Sequence, residues 1–252
     1  MAQDSVVLQL RWHPQFQFAG YYAAKWQGFY DDAGLDVEIR SAVGPDGAIR
    51  DSLGEVAAGR ADFGIGGADV LTTNDNGEAQ LVVLASIFQE SPAALYARAE
   101  TDMTGPADLV GKTVAVTPGG LVDVEARAML AAEGIDPALI DWRDLRAGID
   151  QLADGSADVI AGYTISAGYL AREAGLSLTR LKPASHGLSF YGDSLITRHA
   201  FAQDNPALTR AFIQASLKGW AYALDHRREI AHRLAAEHDA GLSELDAIAF
   251  NL

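Results

Sequence analysis

Four loops of this chain hold residues suited to binding chemistry. The richest in rings is Trp12-His13-Pro14-Gln15-Phe16-Gln17-Phe18, closely followed by Tyr21 and Tyr22. Aromatic faces stack on flat rings, and glutamine amides both donate and accept hydrogen bonds. Trp12, Gln15, Phe18 and Tyr21 therefore form a set able to hold a planar heterocycle and read its edge. The same rings also suit a core, and about half are expected to go there, leaving Trp12 and one neighbour for a ligand. In Gly66-Gly67-Ala68-Asp69, Gly67 allows close backbone approach and Asp69 accepts hydrogen bonds from an amino group. The competing reading is a tight strand-to-helix turn, with Asp69 favoured by the helix dipole.

The other two loops are Thr117-Pro118-Gly119-Gly120-Leu121 and Gly162-Tyr163-Thr164-Ile165. The loop precedes a helical stretch, where Gly119 and Gly120 would turn backbone N–H groups toward an anion or a ring substituent, with Pro118 beside them as a further candidate contact. The loop lacks the Lys-Ser/Thr tail of a phosphate-binding P-loop, which disfavours a nucleoside triphosphate. No basic residue lies in any of the four loops. Phe88-Gln89-Glu90-Ser91 and Tyr191-Gly192-Asp193 fall at two expected chain crossings. There Phe88, Gln89, Tyr191 and Asp193 are candidate ligand contacts, and Glu90 reads as surface charge. The chain has no nucleophile elbow, no His-Glu-x-x-His and no paired-carboxylate pattern. His226, His232 and His238 recur every six residues rather than at i, i+4. No catalytic residue, metal site or cofactor is expected.

A repeat positions the loops. Gly59-Arg60-Ala61-Asp62-Phe63-Gly64-Ile65-Gly66 is echoed by Gly155-Ser156-Ala157-Asp158-Val159-Ile160-Ala161-Gly162, and Ala33-Gly34-Leu35-Asp36 by Glu133-Gly134-Ile135-Asp136. Nearly equal separations mark two similar α/β units, and a cleft between two lobes would hold a small molecule. Strands are predicted over Val6–Arg11, Leu35–Arg40, Ala61–Ile65, Leu81–Phe88, Thr113–Val116, Ala157–Ala161 and Ser185–Thr197. Helices are predicted over Ala19–Tyr30, Ala48–Ala58, Ala68–Asn74, Val122–Ala132, Ala147–Ala153, Pro206–Glu237 and again from Ser243. Gly44-Pro45-Asp46-Gly47 reads as a turn. Alternating strands and helices argue for α/β with parallel sheets. Lobe I would comprise residues 1–90 and 189–252, and lobe II, inserted, 91–188. Crossings near Gln89–Ala94 and His186–Asp193 would form a hinge.

At 252 residues the chain suffices for two modest cores, and its 49% apolar and 21% charged content is that of a globular protein. The net charge of −15 repels nucleic acid and anionic lipid. With no cysteine, disulfides and thiolate metal sites are excluded. No apolar run is long enough to span a bilayer. Met1-Ala2-Gln3-Asp4-Ser5 reads like a trimmed mature terminus behind a start methionine. Phe250-Asn251-Leu252 stops within a helical pattern, as a fragment would.

Leu10-Arg11-Trp12, Phe18-Ala19-Gly20-Tyr21-Tyr22-Ala23-Ala24, Gly28-Phe29-Tyr30, Ala33-Gly34-Leu35-Asp36, Gly59-Arg60-Ala61-Asp62-Phe63-Gly64, Leu109-Val110-Gly111-Lys112 and Phe190-Tyr191-Gly192-Asp193 together carry a resemblance. The chain resembles type 2 periplasmic solute-binding proteins of the branch related to thiamine-pyrimidine binding and synthesis. The resemblance implies a Venus-flytrap pair of Rossmann-like lobes closing on a small molecule, commonly an aminopyrimidine, outside the cytoplasm. It implies an ABC permease as partner or, in the sensor subset, the chain's own transmembrane kinase or cyclase, and no nucleic acid. Trp12 matches the family's N-terminal tryptophan and takes its stacking role. Phe18 stands where the pyrimidine synthases of the family carry an active-site histidine, and their cysteine-rich motif is missing. That argues for binding over the alternative of a single-turnover synthase. A binder of a small anion such as an alkylsulfonate is the other alternative.

Overall fold

The computed structural model describes residues 3–44, 48–75, 80–146 and 148–238. The turn at 45–47, Ala147 at the head of one predicted helix, the tail from Ser243 and both chain ends lie outside the described residues. In chain order the strands are β1 (Asp4–Gln9), β2 (Leu35–Arg40), β3 (Phe63–Gly66), β4 (Leu81–Ser86), β5 (Ala93–Arg98), β6 (Thr113–Val116), β7 (Asp141–Asp144), β8 (Val159–Tyr163), β9 (Leu178–Leu181) and β10 (Ser194–Arg198). The helices are α1 (Ala19–Trp26), α2 (Phe29–Asp32), α3 (Ser52–Ala57), α4 (Asp69–Asp75), α5 (Leu121–Ala132), α6 (Ile149–Ala153), α7 (Ala167–Glu173), α8 (His199–Asp204), α9 (Pro206–Asp225) and α10 (Arg227–Glu237).

Two compact units result, one from residues 1–66, 73–85 and 194–252, the other from 67–72 and 86–193. The first holds a sheet of order β2-β1-β3-β10-β4, the second a sheet of order β7-β6-β8-β5-β9. The orders are the same once β1, β2 and β3 are matched to β6, β7 and β8. In each sheet the first three strands are parallel and the fourth, β10 or β5, runs antiparallel to the third. The sheets are therefore mixed, not parallel, because each includes a strand that enters from outside the βαβ run.

Local chemistry moves several predicted boundaries. Gly28 at φ 75 breaks the helix predicted over Ala19–Tyr30 into α1 and α2. The Asp51 carboxylate accepts from the amides of Leu53 and Gly54 and so starts α3 at Ser52 rather than Ala48. The strand expected over Ser185–Thr197 shortens to β10, since Pro183–His186 forms a 3-10 turn closed by Gly187 at φ 80. Strands β5, β7 and β9 were not predicted. Edge strand β7, Asp141-Trp142-Arg143-Asp144, offers three charges and no alternating apolar face.

The repeated Asp is a backbone staple. An Asp62 carboxylate oxygen accepts from the Val7 amide at 2.9 Å, and Asp158 accepts from Thr113 at the same distance. In return, the Asp62 and Asp158 amides donate to the carbonyls of Val7 and Thr113, each at 3.0 Å. Each unit thereby locks the entry of its third strand to its first. Leaving a buried amide unmet costs about 1–3 kcal/mol, and Val7 sits in the more buried of the two staples. Asp62→Ala is accordingly expected to speed hydrogen exchange at the Val7 amide more than Asp158→Ala does at Thr113. Equal or reversed effects in amide exchange would refute the staple.

The core of the first unit is built on stacked rings. Phe63 lies 4.1 Å from Phe212 at 6°, and Tyr30 lies 5.3 Å from Phe212 at 7°. The Tyr30 hydroxyl reaches Ser216 Oγ at 2.9 Å, and burial pushes its phenol pKa well up, so it stays neutral. Helix α9 crosses α1 glycine against glycine: a Cβ on Gly219 would fall 2.1 Å from the Gly20 carbonyl oxygen. In the second unit, Leu95, Val114, Val159, Met129 and Leu130 fill the space between the sheet and α5.

Candidate functional site

In doubly wound sheets, ligands meet the loops beyond the carboxyl ends of the strands. In the first unit the loop after β1 is set by Gln9, whose side-chain amide donates to the carbonyls of Leu10, Arg40 and Ser41 at 3.0, 3.3 and 3.2 Å. Ser52 adds a second tie, donating to the Gln9 carbonyl and accepting from the Ile65 amide, each at 3.0 Å. Gly64 admits this contact, since a Cβ there would lie 2.8 Å from Ser52 Oγ and 2.6 Å from Val56. Gln9 and Ser52 escaped sequence reading because a polar residue inside a strand or helix shows no partner until the sheet is assembled.

The loop they hold presents Trp12, 44% exposed, edge-on to His13 at 5.5 Å. His13 and Phe16 are half-buried, and the rings that follow turn inward. Phe18 is fully buried and Tyr21, 1% exposed, packs edge-to-face on Trp220 at 5.7 Å. Both belong to the core, not to a ligand surface, which corrects their assignment as contacts. Helix α1 begins immediately after Phe18, so the face that packs against α9 draws these rings inward with it. Gln15 is also buried, its amide 2.5 Å from Gln17 Oε1.

The remaining candidates all fall in the second unit. Asp69 opens α4, 3% exposed, and accepts from the Gly67 amide at 2.7 Å, so both its burial and its orientation are fixed. A Cβ on Gly67 would lie 2.7 Å from the Leu121 Cδ1, so a larger residue there would displace that side chain. The equivalent position in the repeat is Tyr163, half-buried, whose hydroxyl reaches the buried Asp193 carboxylate at 3.5 Å. Asp193 also ends a short ribbon between the two crossing segments. Its carbonyl accepts from the amides of Ile87 and Phe88, the Phe88 carbonyl accepts from Gly192, and the Phe190 carbonyl from Ser91. Gly192 permits this approach, because a Cβ would meet Pro92 at 2.7 Å and Phe88 at 2.9 Å. Phe88 is half-buried, Gln89 is exposed with its amide on the Ser86 carbonyl at 2.6 Å, and Tyr191 is 58% exposed.

The glycine loop before α5 differs from expectation. The Gly119 amide donates to Asp123 at 2.9 Å and the Gly120 amide to the Thr117 carbonyl at 3.0 Å. Both N–H groups are consumed by the turn, so Gly119 and Gly120 are not donors to a ligand. Gly119 is left-handed at φ 71, and Pro118 beside it is exposed. Asp123, paired with Arg127 at 2.6 Å, puts a carboxylate where an anion would otherwise sit. A buried Glu125 beside it accepts from the Ser91 hydroxyl at 2.6 Å, tying α5 to the start of β5. Among the described residues no group of three or more His, Cys, Asp or Glu side chains is placed to hold a metal.

The family model described as NMT1/THI5 like matches residues 15–230. A formylaminopyrimidine-binding protein of Halalkalibacterium halodurans is 24% identical over 241 residues, covering 94% of this chain and 72% of that protein. The riboflavin-binding protein RibY of Chloroflexus aurantiacus is 26% identical over 226 residues, covering 88% of this chain. The chain spans 63% of RibY, less than two thirds of its length. Among solved structures, the periplasmic aliphatic sulphonate binding protein SsuA of Escherichia coli shares the fold with a TM-score of 0.71 at 17% identity, over 98% of this chain and 82% of that one.

Proposed function

From the premise that this chain belongs to the NMT1/THI5-like family, we propose that it binds a small flat nitrogen heterocycle, of the thiamine-precursor aminopyrimidine kind, without turning it over. The observation that carries the proposal is Trp12. It is a large ring left 44% exposed just beyond the carboxyl end of β1, more exposed than any other ring of its loop. An indole face so placed offers stacking area to a planar ligand. Asp69, Tyr163 and Asp193 of the second unit are the proposed polar contacts to the ligand's edge, and Gly67, Phe88, Gln89, Pro118 and Tyr191 are further proposed contacts. The ligands named for the two relatives, formylaminopyrimidine and riboflavin, share a flat nitrogen heterocycle.

Both relatives are named as binding proteins. In this chain, the position matched to the synthases' histidine is the fully buried Phe18. An ABC permease is the proposed partner, and an extracytoplasmic location the proposed setting. Among the described residues no helix is long and apolar enough to cross a membrane. Lobe closure on the ligand is the proposed event that a permease reads.

A thermal-shift panel of aminopyrimidines, riboflavin, purines and alkylsulfonates tests the reading. A ligand at 100 times its Kd adds about 2.7 kcal/mol of stability, and an aminopyrimidine is expected to give the largest shift. A shift with alkylsulfonates alone would overturn the heterocycle assignment. Formation of a pyrimidine product on incubation with pyridoxal phosphate and iron would overturn the absence of turnover.

A further inference from the structure

A hollow lies in the unit formed by 67–72 and 86–193, on the sheet face that α6 and α7 cover. Strand pairing brings Tyr96 of β5 opposite Ile160 of β8 and Arg180 of β9, so these three side chains share that face. Ile160 and the Tyr96 ring join the apolar cluster beneath the helices, and Tyr96 is 5% exposed. Helix α7 ends at Glu173 and leaves a hollow of about 430 Å³ over β5 and β9. Its floor is apolar, from Tyr96, Ala171, Leu176 and Leu178, while Arg172 and Arg180 stand at its rim. That volume lies within the range of small-molecule sites.

The charges there are exposed and unpaired. Among the described residues neither Arg172 nor Arg180 forms an ion pair, although the chain carries a net charge of −15. Arg172 lies only over the Tyr169 ring, at 5.7 Å. Burial pushes the Tyr96 phenol up while the Arg180 charge opposes this, so Tyr96 remains an O–H donor at neutral pH. We propose that this cavity is a second binding site, for a small organic anion with an apolar body. Its ring or chain lies on Tyr96 and Leu178, and its anionic head is shared by the guanidinium groups of Arg172 and Arg180. Such charge-assisted bonds are stronger than neutral ones.

Phenyl phosphate is a suitable probe, with benzyl alcohol as its uncharged counterpart, followed by amide chemical shifts in the whole chain. Phenyl phosphate is expected to shift residues of α7, β5 and β9, and benzyl alcohol to bind far more weakly. Arg172→Gln and Arg180→Gln should each weaken phenyl phosphate about tenfold. Gly168 of α7 also lines the hollow, and Gly168→Leu tests the cavity without altering charge, because open space surrounds a Cβ at that helical position. It should abolish the shifts while preserving the fold. Shifts confined to other surfaces, no binding at millimolar phenyl phosphate, or unchanged affinity in Gly168→Leu would each overturn the proposal.

Discussion

Gly219→Ala should be the most damaging single-methyl substitution in this protein. The new Cβ would fall 2.1 Å from the Gly20 carbonyl oxygen and 2.6 Å from both the Cβ and the amide nitrogen of Ala24, with two of those three neighbours being backbone. No rotamer relieves the clash, so α1 and α9 must separate along a seam that also seats Tyr21 on Trp220. Overpacking of this kind costs about 1–3 kcal/mol or more. The upper end corresponds to a fall in Tm of about 6–12 °C for a chain of this size. Gly168→Ala is the control: it is helical, exposed and surrounded by open space, so helix propensity predicts a gain of up to about 1 kcal/mol. Calorimetry distinguishes the two, and a Gly219→Ala protein melting with the parent would show that α1 and α9 are not held at this distance.

Trp12→Ala should have the largest effect on ligand affinity. Losing one stacking partner costs about 1–3 kcal/mol in aromatic platforms that hold bases, or roughly 5- to 150-fold in Kd. Because Trp12 is 44% exposed and its ring meets His13 edge-on rather than sitting in the core, the unliganded Tm should hardly move. Phe18→Ala is the informative contrast. Its ring is fully buried, so truncation should cost about 3–5 kcal/mol of stability whether or not a ligand is present. Titration of both variants with the best ligand of the thermal panel separates the two roles. Unchanged affinity in Trp12→Ala would remove the stacking assignment.

The sequence made some of this architecture readable and hid the rest for definite reasons. The repeat was legible because its Asp performs one backbone task in both sheets, and because left-handed Gly34, Gly134, Gly59 and Gly155 recur at matching turns. Such constraints are local, so they survive in the residue string. The inward turn of Phe18 and Tyr21 depends on α9, which begins nearly two hundred residues later, and no local pattern reports it. The glycines of the 117–121 turn looked like donors because composition does not show that Asp123 and the Thr117 carbonyl consume their amides. The cavity over β5 and β9 was equally hidden, since only strand register brings Tyr96 and Arg180 together.

The strand order also carries a consequence for the order of synthesis. Strand β4 ends at Ser86, and its neighbour in the sheet is β10, which starts at Ser194. Every strand of the second sheet lies between those two positions in the chain. A ribosome making this protein therefore completes the whole second sheet while β4, with Val83 half exposed even in the finished fold, waits without a partner. An unpaired apolar strand edge is the form in which nascent chains aggregate. The interval from residue 86 to residue 198 is thus the period in which a growing chain most needs a chaperone, and β10 is the element whose arrival ends it.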